Sequence, residues 1–242
     1  MNCSVKKMIE SCLELEWNRE REVLSALGRE LEPDVRWLKQ VRDFVQHEVK
    51  GINFTPQYYM HRGVKREGDE WRELRYDVTV LPPRHLGDEY NKTVGHYHPA
   101  AACGRSYPEV YEVLAGEAHY LLQKKDLTRF VVVKARRGDK VVVPPDYGHV
   151  TVNPRNEALV MSNVTEASFK SEYGNYEAKK GAAYYEFCNG FKKNPLYGGV
   201  PEPEVMEAAA LDELKGKELY LLGLEKGALR FLLDPAEYEE RI

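Results

Sequence analysis

Between Ile52 and Asn163 the chain is cut into short apolar runs by Gly, Pro and Asp, and this punctuation restricts the fold more than any other feature. The runs Phe54 to His61, Glu73 to Leu81, Thr93 to His98, Glu109 to Leu114 and Ala118 to Gln123 read as strands. Phe130 to Lys134, Lys140 to Val143, Val150 to Asn153 and Ala158 to Asn163 continue the series. Many strands at close spacing, with turns such as Arg137-Gly138-Asp139, indicate an antiparallel sandwich or barrel. Leu81-Pro82-Pro83 and Val143-Pro144-Pro145 end their strands, because proline cannot donate to a ladder.

The flanks read differently. Ile9, Leu13, Trp17, Leu24, Leu27 and Leu31 recur at spacings of three, four and seven, which predicts an amphipathic helix over 5–31, stopped by Pro33. Leu38, Val41, Val45 and Val49 predict a second helix after Asp34, ending near Gly51. Beyond Asn189, Asn194-Pro195 and Pro201-Glu202-Pro203 mark a linker. Glu204 to Leu214 and Glu218 to Leu233 read as helical, and Asp234-Pro235 has the order of an N-cap followed by a first-turn proline. The expected organisation is an N-terminal helical extension (1–51), a β-barrel catalytic domain (52–190) and a C-terminal linker with a helical extension (191–242). A chain of 242 residues buries enough surface to fold without disulfides or a structural metal.

Within the strand region lies Gly95-His96-Tyr97-His98. Histidines one residue apart on an extended strand aim their rings to the same side. Glu109 follows eleven residues after His98, and His149, in Pro144-Pro145-Asp146-Tyr147-Gly148-His149, forty residues after Glu109. Three imidazoles and one carboxylate suit a divalent transition metal with open positions for water or substrate. Tyr111 shares the strand face of Glu109, so both point into a barrel if either does. Gly148 allows a tight approach at the following strand. His61, His85 and His119 lie outside the series and read as surface or structural residues.

Composition removes some classes of function. The 35 basic and 39 acidic residues give a net charge of -4, against a nucleic-acid or anionic-membrane surface. Cys3, Cys12, Cys103 and Cys188 form no C-x-x-C pair and read as reduced thiols. Cys103 falls between His98 and Glu109, where it reads as a small loop residue. No apolar run is long enough to span a membrane, and the first residues lack the apolar block of a signal peptide, so a cytoplasmic protein is expected.

The order G-x-H-x-H, E, P-P-x-x-x-H resembles the cupin superfamily, which carries three His and one Glu on a small β-barrel. Thr79-Val80-Leu81-Pro82, Thr93 to His98, Pro108 to Leu114, Tyr120 to Gln123, Val143 to Asn153 and Glu172-Tyr173-Gly174 are similar to successive segments of the cupin-type glucose-6-phosphate isomerases known mainly from archaea. The fold this implies is a mainly β, jelly-roll-like antiparallel barrel. The resemblance implies His96, His98, Glu109 and His149 as ligands of one divalent metal per chain: iron first, with manganese, nickel or zinc also suited. It implies a sugar-phosphate substrate whose phosphate meets Thr79, Thr93, the Gly95 backbone, Tyr173 and Tyr59, with Tyr111 beside the reacting carbons. It also implies a homodimer. Two departures stand out: Ser171 replaces a histidine of the pattern, and the tyrosine after the last barrel strand is replaced near Thr165. The loop from His98 to Glu109 is longer than the pattern, an expected change at the pocket mouth.

The implied reaction interconverts glucose 6-phosphate and fructose 6-phosphate. Glu109 is the candidate base, passing a proton between C1 and C2 of a cis-enediol, while the metal polarises the carbonyl. Coordination lowers a carboxylate's basicity, so either Glu109 moves between ligand and base or the hydrogen travels as a hydride. The alternatives are another cupin metalloenzyme, a different sugar-phosphate isomerase or epimerase or an iron dioxygenase, and a non-catalytic sugar-binding cupin.

Overall fold

The computed structural model describes residues 5–209 and 214–239. Where the sequence predicts a long N-terminal helix, the chain forms an antiparallel meander: β1 (Lys6–Ile9), β2 (Leu15–Asn18), β3 (Val23–Ala26) and β4 (Arg29–Glu30). Burial alternates along it, with Leu15 and Trp17 inward on β2 and Leu24 and Ala26 inward on β3. Strands of four residues are too short for that alternation to outweigh an apparent helical stripe. The turns also pass through Glu14, Glu22 and Leu27 at positive φ, and these residue types announce no turn.

The second predicted helix is likewise replaced. Asp34–Trp37 is a strand, β5, and only the single turn α1 (Leu38–Val41) and a 3-10 turn at Arg42–Phe44 are helical. Leu38, Val41 and Val45 still reach the core, so their burial was legible although their conformation was not.

Eight of the nine expected central runs form ladder strands, and two short strands between Leu81 and Thr93 join them. They are β6 (Pro56–His61), β7 (Leu74–Leu81), β8 (His85–Leu86), β9 (Glu89–Lys92), β10 (Glu109–Ala115) and β11 (Glu117–Lys124). Next come β12 (Phe130–Arg136), β13 (Lys140–Val143), β14 (Tyr147–Asn153) and β15 (Leu159–Glu166). A six-stranded sheet runs β13-β10-β15-β7-β6-β5. The segment after β15 holds the short helix α2 (Gly174–Ala178) and the hairpin β16 (Tyr184–Phe187) and β17 (Gly190–Lys193). The predicted helix at Glu204 begins instead as strand β18 (Glu204–Glu207), which pairs in parallel with the open edge of β12. Residues 210–213 of that prediction lie outside the described residues. The second sheet runs β17-β16-β9-β14-β11-β12-β18, with β8 on β9.

Both sheets contribute to one core, which makes the molecule a mainly β, jelly-roll-like barrel, antiparallel except where β18 joins β12. Tyr111 of β10 meets Tyr120 of β11 across it, ring centroids 5.1 Å apart. A second core lies on the other face of the six-stranded sheet. There Val78, Val80, Val110, Leu114 and Val164 pack against Leu13, Leu15, Trp17 and Leu24 of the meander. Helix α3 (Leu219–Leu224) adds Leu219, Tyr220 and Leu222 to the same layer. The predicted helix from Glu218 to Leu233 is shorter than expected, ending as a 3-10 turn at Arg230–Leu232. Asp234 and Pro235 cap a 3-10 turn as predicted, the Asp234 carboxylate accepting from the Ala236 N–H. The six-stranded sheet is thus covered on both faces, and β7 sorts its residues between them: Tyr76, Val78 and Val80 enter the second core, while Arg75 and Thr79 face the barrel side.

Candidate metal centre and its cavity

The Gly95–His98 segment is not part of a full ladder, yet it is held in extended form at two points. His96 and His149 exchange N–H···O=C bonds of 3.3 and 3.1 Å, and Tyr97 exchanges a pair of 3.0 and 2.8 Å with Glu172. His149 belongs to β14, so the first exchange sets the two imidazoles side by side, ring centroids 4.4 Å apart. Gly95 and Gly148 make that approach possible. A Cβ on Gly95 would stand 2.4 Å from the Tyr176 ring, and one on Gly148 would stand 2.8 Å from the Tyr97 ring.

Glu109, the first residue of β10, completes the group. One ligand atom from each of His96, His98, Glu109 and His149 lies within 4.8 Å of every other. Glu109 Oε2 is 3.5 Å from His98 Nε2 and 3.3 Å from His149 Nε2. Its Oε1 accepts a 2.6 Å hydrogen bond from Asn163 Nδ2, while Oε2 is buried without a hydrogen-bond partner. His98 Nδ1 lies 2.8 Å from the Tyr107 carbonyl, and its ring packs 4.5 Å from Phe169. That contact fixes the tautomer that turns Nε2 toward Glu109.

Burial sets the protonation of these groups. Desolvation holds His96 down to about 3 and His98 to about 4, and depresses His149 well below the usual imidazole range. The same effect pushes the Glu109 carboxyl up to about 8. Three imidazoles that stay neutral and a buried carboxyl oxygen without a hydrogen-bond partner form a donor set suited to a cation. The residues therefore fit a divalent transition metal, with nitrogen and oxygen donors in the mixture such ions accept.

The cluster opens into a cavity of about 450 Å³. Thr79, Thr93, Tyr111 and Tyr173 line it, as expected. Thr93 Oγ1 accepts a 2.9 Å bond from the Thr151 N–H, and the Tyr111 hydroxyl is 3.0 Å from His149 Nε2. Tyr59 is elsewhere. It faces the second core, 5.8 Å from the Trp17 ring with its hydroxyl on Glu22, whereas its neighbour Tyr58 lines the cavity and bonds the Val94 N–H at 3.1 Å. A shift of one residue along a strand exchanges its faces, so Tyr59 turns to the second core while Tyr58 turns to the cavity. Gly95 has a clear packing role behind the imidazoles, and its side is filled by Tyr176.

The sequence reading missed Asn163, Arg62, Arg75 and Lys170, all of which line the cavity. Strand parity was the available signal for two of them, since Arg75 shares the face of Thr79 and Asn163 that of Met161. The long loop after His98 does not line the cavity. Arg105 ties it instead to the Pro235 and Tyr238 carbonyls at 3.0 and 3.1 Å, and Ser106 to Asp146 of the Pro-Pro turn. Cys103 is exposed on that loop, apart from the ligand cluster. His119 is structural, its Nδ1 2.6 Å from Glu186. No helix among the described residues is long and apolar enough to cross a membrane.

A family model described as glucose-6-phosphate isomerase (GPI) matches residues 36–195, well over half of the chain. The glucose-6-phosphate isomerase of Thermococcus gammatolerans is 34% identical over 148 residues, covering 60% of this chain and 75% of that one. Its namesake from Pyrococcus horikoshii is 34% identical over 139 residues, covering 57% and 67%, and that of Thermococcus litoralis is 33% identical over 146 residues, covering 59% and 67%. The region matched by the family model holds β6 to β17 and all four metal-ligand candidates. This chain belongs to the glucose-6-phosphate isomerase family.

Proposed function

We propose that the protein interconverts glucose 6-phosphate and fructose 6-phosphate in a metal-dependent reaction, with residues 52–190 as the catalytic unit. One observation carries the reading beyond family membership: Glu109 is the single carboxylate in the cavity lining, and it stands within the cluster of three imidazoles. His96, His98, Glu109 and His149 would hold the metal, iron(II) first, with manganese, nickel or zinc also suited. When bound, such an ion supplies Lewis-acid polarisation of the substrate carbonyl.

The chain's own residues do the rest. Asn163 pins Glu109 Oε1 and turns Oε2 toward the imidazoles, so Glu109 takes the C2 proton of the aldose and returns it to C1 when it moves from ligand to base. Tyr111, buried beside His149, stays un-ionised, burial and Glu109 raising it well above the usual phenol range, so that its hydroxyl is a donor for the O1 or O2 oxygen of the substrate. The apolar flanks Phe169 and Met161 limit water around the intermediate. A homodimer in the cytoplasm completes the proposal.

The test is a coupled assay of fructose 6-phosphate conversion to glucose 6-phosphate on protein as isolated, after chelation and after single metals are returned. Activity should vanish on chelation and return with one or more metals. Glu109→Gln should lose about 10²-fold or more in kcat, the typical contribution of a positioned acid–base group. A protein that binds metal yet does not isomerise would sink the reading.

A further inference from the structure

The loop that joins His98 to Glu109 is a compact unit held from outside the barrel. The Ala101 N–H meets the Arg105 carbonyl at 2.8 Å, the Gly104 N–H the Ala101 carbonyl at 2.9 Å, and the Tyr107 N–H the Pro99 carbonyl at 3.2 Å. Gly104, with φ of +84°, supplies the left-handed turn at the tip. From that tip the half-buried Arg105 reaches the C-terminal segment. Its Nη1 donates to the Pro235 and Tyr238 carbonyls at 3.0 and 3.1 Å, and its guanidinium carbon lies 5.7 Å from the Tyr238 ring centroid. Those carbonyls belong to a 3-10 turn that no helix continues, so a cation suits them.

The segment that Arg105 grips is itself anchored to the strand that begins with Glu109. The Leu219 N–H donates to Oε2 of Glu112, on β10, at 2.7 Å. Leu219, Leu232 and Tyr238 enter the second core together with Val110 and Leu114 of the same strand. A brace therefore runs from β10 through the C-terminal segment and Arg105 to the loop that precedes β10. At the inner end of that loop the Tyr107 carbonyl accepts from His98 Nδ1 at 2.8 Å. The Tyr107 ring stacks 5.3 Å from Phe169, which packs on the His98 ring. The gripping segment lies beyond residue 195, where the match to the family model stops.

We infer that Arg105 is a positioning residue for the metal centre. By clasping the loop to the C-terminal segment, it holds the Tyr107 carbonyl against His98 Nδ1 and so fixes the imidazole that would coordinate the metal. Residues 99–108 separate two ligand candidates, and a loop left free at its tip samples arrangements that draw them apart. A second tie, between Ser106 and Asp146 at 3.1 and 2.6 Å, fixes the loop on the side of His149 and leaves the tip to Arg105. The inference rests on the metal-dependent reading of the site, and its test reads the metal and His98 apart from the isomerisation.

The full-length parent is compared with Arg105→Ala, Arg105→Met, Arg105→Lys and a control, Arg155→Met, which removes a surface tie to Glu117 of 2.7 Å. Met keeps the stem that packs on the Tyr238 ring and loses both hydrogen bonds, so it carries the comparison where the Ala variant does not fold. Zinc affinity is read by competition with a chromophoric chelator. The His98 Nδ1 proton is followed by nitrogen–proton NMR of the imidazoles in metal-free protein. Both neutral Arg105 variants should weaken zinc by about tenfold, the low end of what losing a ligand's outer partner costs, and should shift or broaden the His98 signal. Arg105→Lys should recover part of the affinity, because the charge remains and the planar fork is gone. Arg155→Met should change neither readout, whatever it does to the melting temperature. Folded Arg105 variants with parental zinc affinity and an unmoved His98 signal would overturn the inference and leave the isomerase reading intact. A control that weakens zinc as much as the Arg105 variants would overturn it too. A parent protein that binds zinc but does not isomerise the sugar, with the Arg105 effects as expected, would remove the reaction and keep the clasp.

Discussion

In the proposed reaction a single side chain, Glu109, serves both a cation and a substrate, and Asn163 sets which of its oxygens is held. The 2.6 Å bond from Asn163 Nδ2 occupies Oε1 and orients the carboxylate, as a second layer of groups commonly does around a ligand. Asn163→Ala should weaken metal affinity by about 10–100-fold, read by competition with a chromophoric chelator, with kcat falling alongside. An unchanged affinity would show that Glu109 holds its pose unaided. The four ligand candidates were legible in the sequence because their motif is local: His96 and His98 alternate with one residue between them, and a glycine precedes His149. Asn163 was not, since nothing in its own neighbourhood sets it apart from an ordinary strand residue. It reaches Glu109 only through the pairing of β10 with β15.

Elements show the same division between local and distant causes. The nine strand runs of the centre carry their own punctuation, and eight became ladder strands within a few residues of their expected ends. The ninth, Thr93 to His98, is extended but bridged only at single points. The N-terminal meander carries fewer such marks, with Asn18 and Gly28 at two of its turns and Glu14, Glu22 and Leu27 at positive φ instead of glycine. Helix α3 shows how packing overrules propensity: Gly223 sits within it because the Trp71 ring lies where a side chain would go, 2.2 Å from an added Cβ. Trp71 is itself packed on Tyr220, ring centroids 5.3 Å apart. Gly223→Ala should therefore destabilise the protein by about 1–3 kcal/mol in urea unfolding, although alanine favours a helix by about 1 kcal/mol. A stabilised variant would mean that Trp71 moves aside at little cost.

For the whole molecule, acid acts through every imidazole that burial keeps neutral, and His61 is the one outside the ligand cluster among the described residues. His61 is 2% exposed on β6 and lines a cavity there with Leu31, Glu32 and Val64. Burial depresses it from 6.5 to about 4, against the opposing pull of the Glu32 backbone and Asp34. The unfolded chain then takes up this proton first as pH falls, so stability is full above about 6.5 and declines toward 4. The loss attributable to this group is about 3 kcal/mol. Denaturant titrations from pH 7 to pH 4 should show the decline in the parent protein and a flatter curve in His61→Leu; parallel curves would exclude His61 as the cause. The sequence by itself determined a barrel of short antiparallel strands and the four residues that gather at its centre, because strand alternation and turn chemistry act over a few neighbouring positions. Only the tertiary structure decided that the flanking segments become strands, that Tyr58 and not Tyr59 faces the cavity, and that two arginines share Asp77 at its wall. Those outcomes depend on which sheet edge is open and which strands lie side by side, information that no stretch of the chain holds alone.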